Sequence, residues 1–208
     1  MVTVALPPPS ARRRIRPAHH VLRAGTDVFR IYDPKGAHGP RDGRAFRWRG
    51  PYARFDHHRG TGTRERRGIW YGALTVGCAV AEAFDIGIVD PGTKRLARAQ
   101  ATRDLLLLDL RGRGAMRAGT VAAISAADHR LSQQWSRYFW EHPQVYGELD
   151  GLFYASAHNG EPAVALYERG RDGVGVPSGH DARLTDPAVL AVIRREALDQ
   201  GLVVLPVS

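Results

Sequence analysis

The chain has 208 residues, enough for one domain with a sizeable core or for two small ones. Its apolar content of 43% is ordinary for a globular protein, and no apolar run is long enough to cross a bilayer. No signal-peptide-like segment follows the basic N-terminus, so we expect a cytoplasmic protein that does not contact membranes. The single cysteine, Cys78, excludes an internal disulfide and a cysteine-cluster zinc site.

The net charge of +9 arises from 30 basic against 21 acidic residues. Such an excess attracts anions: nucleic acid, phosphorylated metabolites or an acidic protein. Nearly all of the basic residues are arginines, which bind phosphate and carboxylate groups in a bidentate way. Because coding bias alone can also raise the arginine content, the charge does not choose among these partners.

The first 22 residues are rich in Pro, Arg and Ala, which predicts a poorly ordered basic lead-in before a domain over residues 23–208. The segment Val28–Tyr32 reads as a strand, with Arg30 on the face opposite to Phe29 and Ile31. Three further strands are predicted, and the strong turn signal Asn159-Gly160 joins the last two of them into a hairpin. These strands cover residues 104–110, 152–154 and 163–168.

Helices are predicted over residues 120–138 and from the cap Asp186 to Gln200, and a last strand over residues 202–207. Residues 91–100 read as a polar connector. Strands outnumber helices and the hairpin implies antiparallel pairing, so we expect a single α+β domain with a mixed, largely antiparallel sheet flanked by helices.

The long segment between residues 35 and 67 is basic and glycine-rich, and a loop of this length is usually functional or disordered. Within it, Tyr52–Asp56 resembles a short strand, and residues 57–67 read as an exposed turn of unassigned role. The adjacent pair His57 and His58 suggests a metal, but no other His or Cys lies at a spacing that is typical of metal ligands. We therefore expect no metal site.

The central stretch is a strand, Ile69–Tyr71, broken by Gly72 and followed by an apolar helix over Val76–Phe84 that Thr75 caps. Glu82 lies in this helix with no Lys or Arg within one turn. A helix that is apolar on nearly all sides is usually buried, and a carboxylate shielded from water needs a polar partner. We expect that partner to be a distant part of the chain or a ligand. The alternative is a solvent-exposed glutamate at a domain edge.

Three stretches carry a family pattern: AGTDVFRIYDP, then ARFD with WYGAL…AVAEAF, and finally LDGLFYAS…AVALYE. In this order and spacing they resemble the RES domain family over about residues 24–168. The resemblance implies a fold similar to that of ADP-ribosyltransferase toxins. It also implies a toxin of a bacterial toxin–antitoxin pair that degrades NAD as its substrate, without a cofactor.

The resemblance assigns a role to each matching residue. Arg30 and Arg54 would bind the substrate's phosphates, Tyr71 would pack on the nicotinamide or ribose, and Glu82 would bind the nicotinamide ribose. Ser156 would hydrogen-bond the substrate in the same pocket. We take Glu82, Arg30 and Ser156 as the catalytic set and Arg54, Tyr71 and Tyr32 as substrate-binding residues, since these six positions match the family motifs or adjoin them.

Three departures from the family pattern are visible. The glycine that usually precedes the second arginine is Ala53 here, and the tyrosine that follows the first arginine in some relatives is displaced by one place, to Tyr32. Residues 64–67 also carry extra charge, which can alter the partner or the access to the site.

The residue types fit the chemistry of glycosidic cleavage. Breaking the nicotinamide–ribose bond creates an oxocarbenium-like centre, which one carboxylate bonded to the ribose 2-hydroxyl can stabilise. Water or inorganic phosphate can accept the sugar, giving an NAD glycohydrolase or an NAD phosphorylase. The alternatives are an ADP-ribosyltransferase acting on a protein and a non-enzymatic basic module that binds nucleic acid. The resemblance further implies an antitoxin with a helix-turn-helix region, through which alone the protein would meet DNA.

Overall fold

In the computed structural model, which describes residues 2–36, 40–60, 64–84 and 87–207, a ten-stranded mixed sheet forms the centre of the molecule. The strands are β1 His19–Leu22, β2 Asp27–Tyr32, β3 Arg47–Arg49, β4 Arg64–Ala73, β5 Ile88–Val89, β6 Arg95–Ala101, β7 Leu105–Asp109, β8 Gly151–Ala155, β9 Pro162–Tyr167, β10 Val174–Gly175, β11 Asp181–Arg183 and β12 Val203–Val204. The helices are α1 Val76–Ala83, α2 Arg113–Arg117, α3 His129–Glu141, α4 Pro143–Tyr146 and α5 Pro187–Asp199, with 3₁₀ turns at Ala122–Ala126 and Glu168–Gly173.

The order of strands in the sheet is β1-β7-β8-β9-β4-β2-β6-β10, with β11 beside β6 and β3 beside β4. Pairing in this sheet is antiparallel except between β7 and β8, while β5 and β12 form a small parallel sheet of their own. The α+β class with a mixed, largely antiparallel sheet and flanking helices is confirmed. No helix among the described residues is long and apolar enough to cross a membrane.

The core lies on both faces of the sheet. Alternation along β7 sends Leu105 and Leu107 to one face and Leu108 to the other. Trp135 and Phe139 of α3 cover the Leu108 face, while Trp70 packs with Leu105 and Leu107. A third cluster joins α1 to α5. Burial on both faces explains why this strand reads as a continuous apolar run.

The central strand and helix form largely as expected. Thr75 caps α1 by accepting a hydrogen bond from the Cys78 backbone N–H at 2.9 Å. Gly72 does not break the strand: it pairs with Val164, and a Cβ there would lie 2.5 Å from the Trp70 ring. The glycine is thus a close-packing position inside β4.

The C-terminal helix α5 also forms as expected. Gly201 follows it with a φ of +71°, the left-handed conformation that ends many helices. Asp186 lies at the N-cap position just before Pro187, but its side chain makes no capping hydrogen bond to the helix.

Several predicted boundaries are wrong. Residues 95–101 form strand β6 rather than a connector, and the alanines at 97, 99 and 101 are buried on one of its faces. The sequence did not indicate this strand, because alanine is uncommon in β-structure. The predicted helix over 120–138 begins only at His129, where Asp128 accepts a hydrogen bond from the Arg130 N–H, and it runs on to Glu141. Tyr52–Asp56 is a turn rather than a strand.

The prediction of a poorly ordered lead-in over residues 1–22 is wrong for its last residues, because His19–Leu22 pair with β7 in the main sheet. Earlier residues of this segment also contact the body, since the Trp135 indole N–H donates to the Ala5 carbonyl at 2.7 Å. The predicted exposed turn at 57–67 is wrong for His57 and His58, which are fully buried, and for residues from 64 onward, which begin β4. Residues 61–63 of that turn lie outside the described residues.

Candidate active site

A cleft opens where two neighbouring strands of the sheet part. Among the described residues, β2 and β4 pair only at Phe29 and Ala73. Beyond this point β2 stays paired with β6, while β4 stays paired with β9 and meets β3 at Ile69. The resulting cavity has a volume of about 460 Å³, within the range of small-molecule sites. The predicted residues that line it are Arg30, Tyr32, Arg54, Tyr71 and Glu82.

Glu82 is presented to the cleft by α1. The turn before it, Gly77–Ala81, is buried, whereas Glu82 is exposed. The expectation of a carboxylate shielded from water is therefore wrong: the side chain faces an open cleft rather than the core. Its charge acts on two buried neighbours. Burial and then the Glu82 charge raise the pKa of the Cys78 thiol to about 12 and the pKa of the Tyr154 hydroxyl well above its usual range.

Arg30 is held at the cleft by the loop that follows β2. Its Nη1 donates to the Ala45 carbonyl at 3.0 Å, and its guanidinium lies 5.4 Å from the centre of the Trp70 ring. Burial, and then the positive charge of Arg47, lower the pKa of Arg30 to about 10, so the group remains protonated at neutral pH. No described carboxylate forms an ion pair with it. Such a cation is better satisfied by an anionic ligand.

Arg54 reaches the cleft from a turn built around the buried carboxylate of Asp56. This carboxylate accepts hydrogen bonds from both terminal nitrogens of Arg47 at 2.7 Å, and from the backbone N–H groups of Tyr52 at 2.6 Å and Ala53 at 3.1 Å. The Arg54 Nη1 donates to the Ala127 carbonyl at 2.5 Å, just before α3. The turn therefore fixes the second guanidinium on the side of the cleft that α3 forms.

Tyr71 joins this turn to the sheet. Its hydroxyl donates to Asp56 at 2.9 Å and accepts from the Phe55 backbone N–H at 2.9 Å, while its ring lines the cleft. Burial, and next the Asp56 charge, raise the pKa of this hydroxyl well above its usual range. With its hydroxyl occupied, Tyr71 offers a ligand mainly its ring.

The other two predicted residues are placed differently. Tyr32 lines the cleft but is buried, and its hydroxyl donates to Asp181 at 2.7 Å; burial and this bond raise its pKa to about 12. Ser156 does not line the cleft. It is buried beside Cys78, and its hydroxyl accepts from the His158 backbone N–H at 3.2 Å. A direct role of Ser156 toward a ligand stays a prediction.

The model of the RES domain matches residues 27–186, which is well over half of the chain. The chain belongs to the RES domain family. It is 40% identical over 88 residues to the protein described as probable toxin y4kH of Sinorhizobium fredii, which covers 42% of this chain and 67% of that protein.

The fold is also similar to a chain in the crystal structure of the M. tuberculosis MbcT–MbcA toxin–antitoxin complex. The TM-score is 0.51 and the identity is 15%, over 84% of this chain and 92% of that chain. At this identity the match concerns the fold alone. The RES domain, predicted from the sequence motifs, is thus confirmed.

Four residues of this RES domain that the sequence reasoning did not single out belong to the site or support it. Tyr154, His129 and His158 line the cleft, and Asp56 organises the Arg54 turn. No described residue hydrogen-bonds the Tyr154 hydroxyl, although the side chain is buried between the charges of Glu82 and Arg54. Alternation on β8 was a usable signal, because it places Tyr154 on the same face of the sheet as Leu152 and opposite to Phe153.

The ionic groups of the cleft define what it can bind. Arg30, Arg54 and Glu82 line one cavity, and none of them forms an ion pair within the described part of the chain. The aromatic rings of Tyr71 and Tyr154 line the same cavity. Two guanidinium groups, one carboxylate and two rings suit a ligand that carries phosphates, a hydroxylated sugar and a planar base.

Proposed function

We propose that this RES domain cleaves the nicotinamide–ribose bond of NAD. The observation that carries the proposal is the convergence of Arg30, Arg54 and Glu82 on one cleft, each without an ionic partner among the described residues. Charged side chains that face one cavity without an internal ion pair are available to a ligand that carries the opposite pattern of charge. A dinucleotide supplies a pyrophosphate for the arginines and a ribose hydroxyl for the carboxylate.

The proposed step needs little from the protein beyond positioning and charge. The bond between ribose C1′ and the nicotinamide nitrogen breaks, and its electron pair leaves with the ring, which thereby becomes neutral. Glu82 accepts a hydrogen bond from the 2′-hydroxyl and stabilises the positive charge that develops on the sugar. An oxygen atom of water or of inorganic phosphate then forms a bond to C1′, and the proton on that oxygen is released to solvent.

We further propose that the protein is the toxin of a toxin–antitoxin pair and acts in the cytoplasm. Depletion of NAD would account for toxicity, and an antitoxin bound over the cleft would prevent it. The likeness to a probable toxin and to the fold of a chain from a toxin–antitoxin complex supports this role. We expect the antitoxin to carry a helix-turn-helix region, as the family resemblance implies.

The test is product analysis with purified protein, NAD and either phosphate-free or phosphate buffer. We expect NAD to disappear without any added protein target, with free nicotinamide as a product. ADP-ribose in both buffers would identify water as the acceptor, whereas a phosphorylated sugar product in phosphate would identify a phosphorylase. Label retained on added proteins, with NAD stable in their absence, would contradict the proposal in favour of a transferase.

Glu82→Gln is the matched variant. It keeps the shape of the side chain but removes the charge, so we expect NAD turnover to fall by about 100-fold or more while the melting temperature stays the same. Glu148→Gln is the control, because Glu148 is exposed and lies outside the cleft. Full turnover by the Glu82→Gln protein would refute the assignment.

A further inference from the structure

Four tyrosines among the described residues are buried, and one of them differs from the rest in its hydroxyl group. Three of these hydroxyls hydrogen-bond to the protein at distances of 2.7 to 3.0 Å; they belong to Tyr32, Tyr146 and Tyr167. The hydroxyl of the fourth, Tyr154, has no hydrogen-bond partner in the described part of the chain. Since buried hydroxyls are normally paired, this one calls for a partner from outside the chain.

Tyr154 is held firmly, with its hydroxyl open to the cleft. Its strand, β8, pairs with β7 on one side and with β9 on the other, and its ring lies 4.8 Å from the ring of Phe55, measured between centres. The residue is only 4% exposed, and it lines the cleft. Its oxygen is not enclosed by protein atoms, in contrast to the ring nitrogens of His58. The hydroxyl is therefore fixed in position and accessible to a ligand.

The cleft keeps this hydroxyl neutral. Burial and then the Glu82 charge raise the pKa of Tyr154 well above its usual range, while the Arg54 charge acts in the opposite direction. A neutral phenol donates one hydrogen bond through its proton and accepts others through its oxygen. A sugar hydroxyl has the same two capacities, so the two groups can pair in either direction.

The charges around Tyr154 indicate which part of a dinucleotide would lie against it. In the proposed function Glu82 binds the 2′-hydroxyl of the nicotinamide ribose and Arg54 binds a phosphate. The ribose is the part of the substrate that joins these two groups, and both charges act on the Tyr154 hydroxyl. The 3′-hydroxyl of this ribose has no partner in that arrangement. A polar group that loses water on binding and gains no partner weakens the complex.

We propose that the Tyr154 hydroxyl binds the substrate through a hydrogen bond to the 3′-hydroxyl of the nicotinamide ribose. This inference rests on the proposed function, because Glu82 and Arg54 set the orientation of the ribose. It makes the cleft selective for an intact pair of ribose hydroxyls, with Glu82 at the 2′ position and Tyr154 at the 3′ position. A substrate that lacks the 3′-hydroxyl leaves a buried polar group of the cleft unpaired and is bound less well.

The first experiment compares NAD cleavage and melting temperature in the Tyr154→Phe variant. We expect kcat/KM to fall about 10-fold, chiefly through a higher KM, because the hydrogen bond forms as soon as the substrate binds. The melting temperature should stay the same or rise, since the variant removes a hydroxyl that has no partner in the free protein. An unchanged kcat/KM would overturn the proposal. A clear fall in melting temperature would also overturn it, because the hydroxyl would then have a structural role.

Tyr146→Phe is the matched control. It removes a buried hydroxyl that donates to the Ala118 carbonyl at 3.0 Å, and Tyr146 does not line the cleft. We expect the opposite pattern from this variant: a lower melting temperature and unchanged NAD turnover. If both variants lost turnover equally, a general effect of removing buried hydroxyls would explain the result, and the proposal would fail.

The second experiment identifies the atom that Tyr154 contacts. The substrate is an NAD analogue that lacks the 3′-hydroxyl of the nicotinamide ribose. The unmodified protein should cleave it with a kcat/KM about 10-fold below that for NAD, and Tyr154→Phe should cause little further loss, because the two changes remove the same hydrogen bond. Losses that multiply would overturn the proposal, since Tyr154 would then contact another part of the substrate.

The outcomes separate this inference from the proposed function. If the unmodified protein left NAD intact, the proposed function would be refuted and this inference with it. If the unmodified protein cleaved NAD and Tyr154→Phe did so with the same kcat/KM, only the role of Tyr154 would be refuted.

Discussion

The cleft has two walls that are built in different ways. One wall consists of regular elements: β2 carries Arg30 and α1 carries Glu82. The other consists of the turn before β4 and the start of α3, and it carries Arg54. The first wall is fixed by strand pairing and by the apolar burial of α1, whereas the second is fixed by buried polar groups gathered around Asp56.

The two walls therefore differ in how strongly they respond to substitution. A wall made of paired strands and an apolar helix loses stability gradually as individual contacts are removed. A wall made around a buried carboxylate depends on a few charged groups, whose loss leaves partners unsatisfied. Substitutions and changes of pH should therefore affect the Arg54 wall much more than the Glu82 wall.

The largest effect is expected from Asp56→Ala. It leaves the largely buried guanidinium of Arg47 without its carboxylate and two backbone N–H groups without their acceptor. We expect the free energy of unfolding, measured with urea, to fall by about 3–5 kcal/mol. Asp56→Asn should lose less, because the amide oxygen still accepts hydrogen bonds, and its KM for NAD should rise more than its kcat falls. Asp199→Asn, at an exposed position, is the control; equal urea midpoints for it and Asp56→Ala would contradict this account.

Acid should produce the next largest effect, through His57 and His58. Both rings are fully buried. His57 Nε2 lies 2.9 Å from Glu168, whereas His57 Nδ1 and both nitrogens of His58 have no hydrogen-bond partner among the described residues. Burial lowers the pKa of both rings, with the Glu168 and Asp56 carboxylates acting in the opposite direction. The folded protein therefore binds protons less readily than the unfolded chain does.

The sign of the pH dependence follows from this. Stability is complete above the unfolded histidine pKa of about 6.5 and falls as the pH drops below it, by up to about 1.4 kcal/mol per pH unit for each ring. Urea titrations between about pH 7.5 and 5 measure the slope of the unfolding free energy against pH. The carboxylates, whose pKa values are lowered, change protonation mainly below this range. His58→Gln should make the slope shallower, and a stability that does not change with pH would contradict the prediction.

Tyr71→Phe should have the smallest effect of the three. It removes the hydroxyl that links Asp56 to the Phe55 backbone N–H but keeps the ring in the cleft. We expect a loss of about 1–2 kcal/mol in unfolding free energy and a modest rise in the KM for NAD, because Arg54 is held less firmly. Tyr138→Phe, on the far end of α3, serves as the control. A larger effect on kcat than on KM would place the hydroxyl in the chemistry rather than in the turn.

The wall of regular elements was largely predictable from the sequence. Local signals are enough to find β2 and α1, since Thr75 caps the helix and apolar residues fill it. Strand alternation then places Arg30 on the face opposite to Phe29 and Ile31. Glu82 is noticed as a carboxylate in an apolar helix, although its expected shielding from water is wrong. The family pattern added Arg54 and Tyr71, and the structure brings both to the cleft with the first two.

The wall of polar groups was not predictable in the same way. The turn at Tyr52–Asp56 was mistaken for a strand because its shape comes from distant partners, Arg47 and Tyr71, that no local pattern reveals. His57 and His58 were assigned to an exposed turn for the same reason: burial of polar side chains depends on tertiary contacts such as that with Glu168. Strand β6 was missed because buried alanines are weak indicators of a strand.

The single residue pair that joins β2 to β4 has a consequence for how the site could evolve. Beyond Phe29 and Ala73 the two strands separate until β3 pairs with β4 at Ile69, so the facing edges of residues 30–32 and 70–72 have no described strand partner across the cleft, and main-chain amides and carbonyls lie at these edges. Groups of this kind are present whichever side chains occupy the strands. The side chains around the cleft can therefore change during evolution while the framework of peptide groups at its edges stays the same.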